Sequence, residues 1–205
     1  MSDVERRYAM DSDHTTPFRI IVITGASATG KSTLTIGLLN KLRNARVLTS
    51  VTTRQPRDDD LENEYEYVSQ TDFEYALAQD EFFSYAKVFE NYYGMRKSIL
   101  LDALNDYSKD VFIRPLTPDK ITLWRAYDKK NIAFLHLVPP PPFEIRARLA
   151  IRGTPANEIT ARLQKAKEWE NQIVHLVADG VPIRFVTGGT PAIMLVNALQ
   201  ILRVS

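Results

Sequence analysis

Eight consecutive residues, GASATGKS from Gly25 to Ser32, carry the densest chemical signal in this chain. They satisfy G-x-x-x-x-G-K-[S/T], a spacing with a mechanism behind it. Its backbone N–H groups and the start of the following helix gather phosphate oxygens, and the lysine reaches the β- and γ-phosphates. Gly25, Ala26, Ser27, Ala28, Thr29 and Gly30 are the expected cradle, Lys31 the expected cation, and Thr33 a further contact at the helix start. Ser32 is the expected ligand of Mg²⁺. The chemistry implied is binding of a nucleoside triphosphate with Mg²⁺ as cofactor.

Arginines supply the other candidate sites. Arg54 and Arg57 lie three apart around Pro56 in SVTTRQPR, outside any helical pattern. Two guanidinium forks there suit one phosphate. They equally suit surface ion pairs with Asp58, Asp59 and Asp60, worth about 0–1 kcal/mol each. Arg148 and Arg152 are four apart on one helix face, and Arg162 follows on the next helix. Glu144–Arg148 and Glu158–Arg162 also have the spacing of ordinary helix pairs.

These residues need elements to hold them. FRIIVIT, before the glycine-rich loop, reads as a buried parallel strand. After the loop, Leu34, Leu38 and Leu42 recur at helical spacing. Further apolar runs stand at 111–113, 132–138 and 183–187, with helices expected at about 96–107, 117–129, 143–151, 156–177 and 191–203. Strands alternating with helices predict an α/β fold with a central parallel sheet. Between 46 and 95 the pattern changes to short strands, VLTSVTTR, YEYVS and FFSYAKV, around one small helix. That stretch reads as an inserted, mostly-β lobe. The expected organisation is a flexible tail at 1–16 and a single domain at 17–205, its core formed by 17–45 and 96–205. Pro139–Pro142 read as the step from a strand into a helix.

Composition narrows the classes. The 205 residues carry 26 Lys+Arg against 25 Asp+Glu, so no global field favours nucleic acid or a membrane surface. There is no cysteine for disulfides or thiolate metal sites. No apolar stretch is long enough to span a bilayer, and the first sixteen residues lack the apolar run of a signal peptide. The expectation is a cytoplasmic protein, monomeric or homodimeric, that acts on small molecules.

The order and spacing of the loop, SVTTRQPR, YEYVS, EFFSYAKVFENYYG and RGT…ARL resemble the guanylate kinase family over residues 20 to about 165. The resemblance implies a P-loop NTPase fold whose inserted lobe, 46–95, binds the acceptor and whose lid spans about 143–165. It implies acceptor-phosphate contacts from Ser50, Arg54, Arg57, Tyr65 and Tyr93. It also makes Arg148, Arg152 and Arg162 lid residues that act with Lys31 on the transferring phosphoryl group.

Departures from the family pattern bear on the acceptor. Family members place a glutamate where Ser84 stands, and one hydroxyl cannot supply two acceptor oxygens to guanine. Met95, replacing a small residue, is expected to fill space in the pocket. Arg114-Pro115-Leu116 replace acidic residues near the metal and the base. The acceptor is therefore expected to be a nucleoside monophosphate whose base need not be guanine. Ribose 1,5-bisphosphate phosphokinase, a related branch, is similar in its lid and also lacks the acidic pair, so a sugar-phosphate acceptor is the alternative. A non-catalytic binding module of the same fold is a second alternative, disfavoured by the intact loop. His14, His136 and His175 fit no metal spacing, Trp124 and Trp169 read as packing residues, and Asp119 is not expected to bind metal.

Overall fold

The computed structural model describes residues 16–58, 60–88, 90–105, 110–128 and 130–202. His14, Asp59 and the expected tail through residue 15 lie outside the described residues. FRIIVIT forms β1 (Ile20–Thr24), with every side chain buried. It is the middle of a five-stranded parallel sheet with β2 (Ala45–Val47), β7 (Val111–Leu116), β8 (Ile132–Leu137) and β9 (Ile183–Val186), in the order β2-β7-β1-β8-β9.

Strand alternation sorts the core into two layers. Ile21 and Ile23 pack with Leu34 and Leu38 of α1 (Lys31–Lys41) and with Met194, Ala198 and Leu199 of α7 (Pro191–Leu202). Ile20 and Val22 face the opposite layer. There they join Leu100 of α3 (Lys97–Asn105), Trp124 of α4 (Ile121–Tyr127), and Ile173 and Leu176 of α6 (Ala156–Ala178). Each buried aliphatic side chain contributes about 1.5–3 kcal/mol, so β1 is fixed from both faces. The loop at its C-terminal end thus starts from a strand buried on both faces and paired on both edges.

A second sheet, β4-β3-β6-β5, is built from β3 (Ser50–Thr52), β4 (Tyr65–Tyr67), β5 (Phe82–Val88) and β6 (Asn91–Arg96). Its core is Val51, Phe73, Ala76 and Phe82, with Phe73 and Phe82 stacked at 4.4 Å. Phe73 and Ala76 come from α2 (Gln70–Ala78), started by Ser69, whose hydroxyl accepts from Asp72 N–H at 3.1 Å. Such a cap is worth about 1 kcal/mol.

The VLTSVTTR stretch divides between the sheets. Ala45–Val47 pair with β7 in the larger one, and Ser50–Thr52 enter the smaller. NYYGMR, for which the sequence suggests no separate strand, is β6, because β5 and β3 both pair with it. Pro139–Pro141 lead out of β8, and Pro142 opens α5 (Pro142–Ile151), as expected. The remaining expected helices appear within two residues of their limits, except that α4 is preceded by a 3₁₀ turn at Pro118–Lys120. Among the described residues, no helix is long and apolar enough to cross a membrane.

Candidate active site

The loop after β1 is held in shape by its own atoms. Gly30 takes φ 104° at the start of α1, a conformation that favours glycine. Ala28 adopts φ 61° without being glycine, a strain of about 1–2 kcal/mol. Lys31 Nζ donates to the carbonyls of Gly25 at 2.8 Å and Ala26 at 2.7 Å, and Thr29 Oγ1 donates to Ala26 O at 2.9 Å. Burial pushes the Lys31 pKa down to about 8, helped by the positive charges of Arg152 and Arg162.

A cavity of about 250 Å³ opens between this loop and the four-stranded sheet. From the loop side it is lined by Gly25, Ser27, Ala28, Gly30, Lys31, Ser32 and Thr33. Ala26 and Thr29 instead support the loop from beneath, both buried. Ser50, Arg57, Tyr65, Ser84 and Tyr93 line the sheet side, so elements far apart in sequence converge on one space. The Tyr65 and Tyr93 rings meet edge-on at 6.1 Å. Burial raises the Tyr65 phenol well above its usual pKa, with the Glu64 carboxylate adding to the effect. It stays a neutral hydrogen-bond donor at physiological pH.

Two expected site residues stand off the cavity wall. Arg54 is buried, donates to Asp60 Oδ1 at 2.6 Å and lies 5.1 Å above the Tyr65 ring. Asp60 also accepts from Tyr67 and from the Arg57 N–H. Burial pushes the Asp60 carboxyl up, but these bonds outweigh it and hold the pKa below the ordinary value. The ion-pair reading of the Asp58–Asp60 run thus holds for Arg54, while Arg57 faces the cavity. Arg148 is the second. It is exposed, pairs with Glu144 at 3.3 Å and donates to Ala28 O at 3.1 Å.

The other two arginines expected in a lid line the cavity. Arg162 keeps its pair with Glu158 and also donates to Ser27 Oγ at 3.2 Å. Arg152, at the end of α5, reaches the same space. Helices α5 and α6 pack together through Ile145, Leu149 and Ile159, with Ala28 of the loop against them.

Met95 does not fill the pocket. It is fully buried in the core cluster with Leu100 and Trp124, because β6 leads straight into α3 and carries it beneath the sheet. Trp124 is fully buried as expected, but Trp169 also forms part of the cavity wall. His136 is buried and bonds Glu170 at 3.1 Å, while His175 is exposed on α6. Asp119 pairs with Lys120 at 3.4 Å and lines a neighbouring cleft instead.

Sequence reasoning missed Lys120, Tyr85, Ala86 and Val88 as lining residues. It noticed Arg114 as a departure but gave it no role. Among the described residues, no cluster of three or more His, Asp or Glu side chains could hold a metal. The Ser32 hydroxyl on the cavity wall is nonetheless a suitable single ligand for Mg²⁺, which commonly keeps water and substrate phosphates as its other ligands.

Comparison with known proteins agrees with this geometry. The guanylate kinase family model matches residues 18–131. The guanylate kinase of Clostridium tetani is 35% identical over 140 residues, 68% of this chain and 65% of that protein. The guanylate kinase of Neisseria gonorrhoeae is 37% identical over 161 residues, 76% of this chain and 75% of the relative. A crystal structure of guanylate kinase from Anaplasma phagocytophilum aligns with TM-score 0.62 at 20% identity, covering 92% of this chain and 87% of that one. That last likeness concerns the fold. The family model and the sequence relatives carry the assignment: the chain belongs to the guanylate kinase family of nucleotide kinases.

Proposed function

We propose that the chain transfers the γ-phosphoryl group of ATP, with Mg²⁺, to the phosphate of a nucleoside monophosphate. The observation that carries this reading is the single cavity with the phosphate loop on one wall and Arg57, Tyr65 and Tyr93 on the other. An acceptor phosphate oxygen attacks the γ-phosphorus as its bond to the β–γ bridging oxygen breaks. A nucleoside diphosphate and ADP result. The acceptor phosphate is largely dianionic at neutral pH, so no general base is required.

The chain's residues divide the work. The loop N–H groups and Lys31 hold the donor phosphates, and Arg57, Tyr65, Tyr93 and Ser50 hold the acceptor. Arg54, behind Tyr65, positions that ring. Arg152 and Arg162 face the charge that spreads over the equatorial oxygens in the transition state, and Arg148 ties the lid to Ala28 O. Mg²⁺, held by Ser32, would neutralise charge on the β- and γ-phosphates.

ADP release from the full chain, assayed with each common nucleoside monophosphate, tests the reading. Arg57→Ala should raise the acceptor KM by at least tenfold and leave ATP affinity unchanged. Failure to bind ATP at millimolar concentration with Mg²⁺ would instead favour a non-catalytic binding module.

A further inference from the structure

The same cavity holds a charge and a hydrogen-bonding capacity that phosphoryl transfer leaves unused. Among the described residues, six cations line it, Lys31, Arg57, Arg114, Lys120, Arg152 and Arg162, and no aspartate or glutamate does. Lys31, Arg152 and Arg162 surround the donor side, and Arg57 serves the acceptor phosphate. Arg114 has no part in that scheme.

Its position follows from the sheet. Strand β2 ends opposite Ile113, so β7 continues past its neighbour, and Arg114, Pro115, Leu116 and Thr117 form part of the cavity wall. A proline is tolerated there because that stretch of β7 pairs on one side only. Arg114 is 7% exposed, and its Nε has no hydrogen-bond partner. No ion pair reaches it among the described residues.

Burial lowers its pKa to about 10, with Tyr65 and Glu64 pulling it back up, so it remains protonated at neutral pH. Glu64 acts on it through space but, among the described residues, forms no ion pair with it. That carboxylate accepts from Leu61 N–H at 3.1 Å and is not on the wall. Ser50, already turned toward the acceptor in that scheme, lines the cavity too, and its buried Oγ has no partner. The Ser84 hydroxyl is on the wall as well.

Unpaired buried charge destabilises a fold, and removing one buried polar partner leaves the other costly. Kept beside an open cavity, such groups suit a ligand of opposite character. We propose that Arg114, with Ser50 and Ser84, forms a specificity subsite for the far end of the acceptor, which presents oxygen acceptors to it. Those oxygens belong to nucleobase carbonyls or to a second phosphate, both of which match a guanidinium fork. The N1–H and 2-amino donors of guanine find no carboxylate among the described residues of this wall, so they add little to binding there. This inference rests on the phosphotransfer reading of the cavity.

The test compares GMP, IMP, UMP and ribose 1,5-bisphosphate as acceptors for the full-length protein and for Arg114→Met. The expected result is that losing the 2-amino group is nearly neutral, with kcat/KM for IMP within threefold of GMP. A nucleotide as the best acceptor identifies the oxygens as base carbonyls, and the bisphosphate as the best acceptor identifies them as a second phosphate. Arg114→Met should raise the KM of the best acceptor at least tenfold, leave the KM for ATP unchanged, and raise Tm. GMP favoured over IMP by tenfold or more, or unchanged acceptor kinetics in Arg114→Met, overturns the proposal. If no acceptor yields ADP, the phosphotransfer reading fails. Tm then decides on Arg114: a rise marks a charge kept for a ligand, and a fall marks a structural residue.

Discussion

Lys31 meets two opposing demands: it must stay charged to hold phosphate, yet it is crowded by Arg152 and Arg162 and partly buried. Its pKa of about 8 in the free protein records that conflict. Bound phosphates favour the ammonium form, so ATP binding takes up a proton wherever free Lys31 is deprotonated. Affinity for ATP should therefore be flat below pH 7 and weaken by up to about tenfold per pH unit above 8. Titration calorimetry at pH 7, 8 and 9 measures this, and a constant Kd through pH 9 contradicts it. Stability moves the other way. The unfolded chain binds more protons between about 8 and the ordinary lysine value, so folding gains as pH rises through that window. At this scale the sequence was informative where chemistry is local. Lys31 and Ser32 follow from one octapeptide, whereas Arg54 went to Asp60, and Met95 to the core, because of neighbours brought in by folding.

Among the elements, β6 shows how a motif can hold two meanings. Tyr93 faces the cavity, while the next residue, Gly94, lets the strand lie against the aromatic stack of the smaller sheet. A Cβ on Gly94 would sit 2.7 Å from the Phe82 ring and 3.1 Å from Phe73. Gly94→Ala should destabilise that sheet by about 1–3 kcal/mol, the usual cost of overpacking. Hydrogen exchange should then rise in β3 to β6 and not in β1, β7 and β8. Equal loss of protection in both sheets contradicts a separate smaller core. The helices and buried strands were legible because periodicity and apolar runs report them directly. Strand β6 was not, since it exists through pairing with β5 and β3 rather than through its own alternation. Trp169 was read as packing for a similar reason: a helix pattern shows which residues are apolar, not that an open cavity borders one of them.

For the whole molecule, the two sheets and the turn between α5 and α6 meet at one cavity, and Arg57 after β3, Arg114 of β7, Arg152 after α5 and Arg162 of α6 bring charge to it. Bringing in two anionic substrates should draw these parts together. Hydrogen exchange with a non-hydrolysable ATP analogue and an acceptor together should protect the backbone of β3–β6 and the α5–α6 turn more than either ligand alone. Protection that merely adds contradicts closure. Helix α6 sets the terms of that movement. At 23 residues it is a rod about 34 Å long. Arg162 lies toward its N-terminal end, which packs on α5 and Ala28, while Ile173 and Leu176 are held in the core. Between them Glu170 grips the buried His136. In any closure of the cavity the rod would turn about that bond, and a small tilt there would carry Arg162 through a larger arc across the cavity.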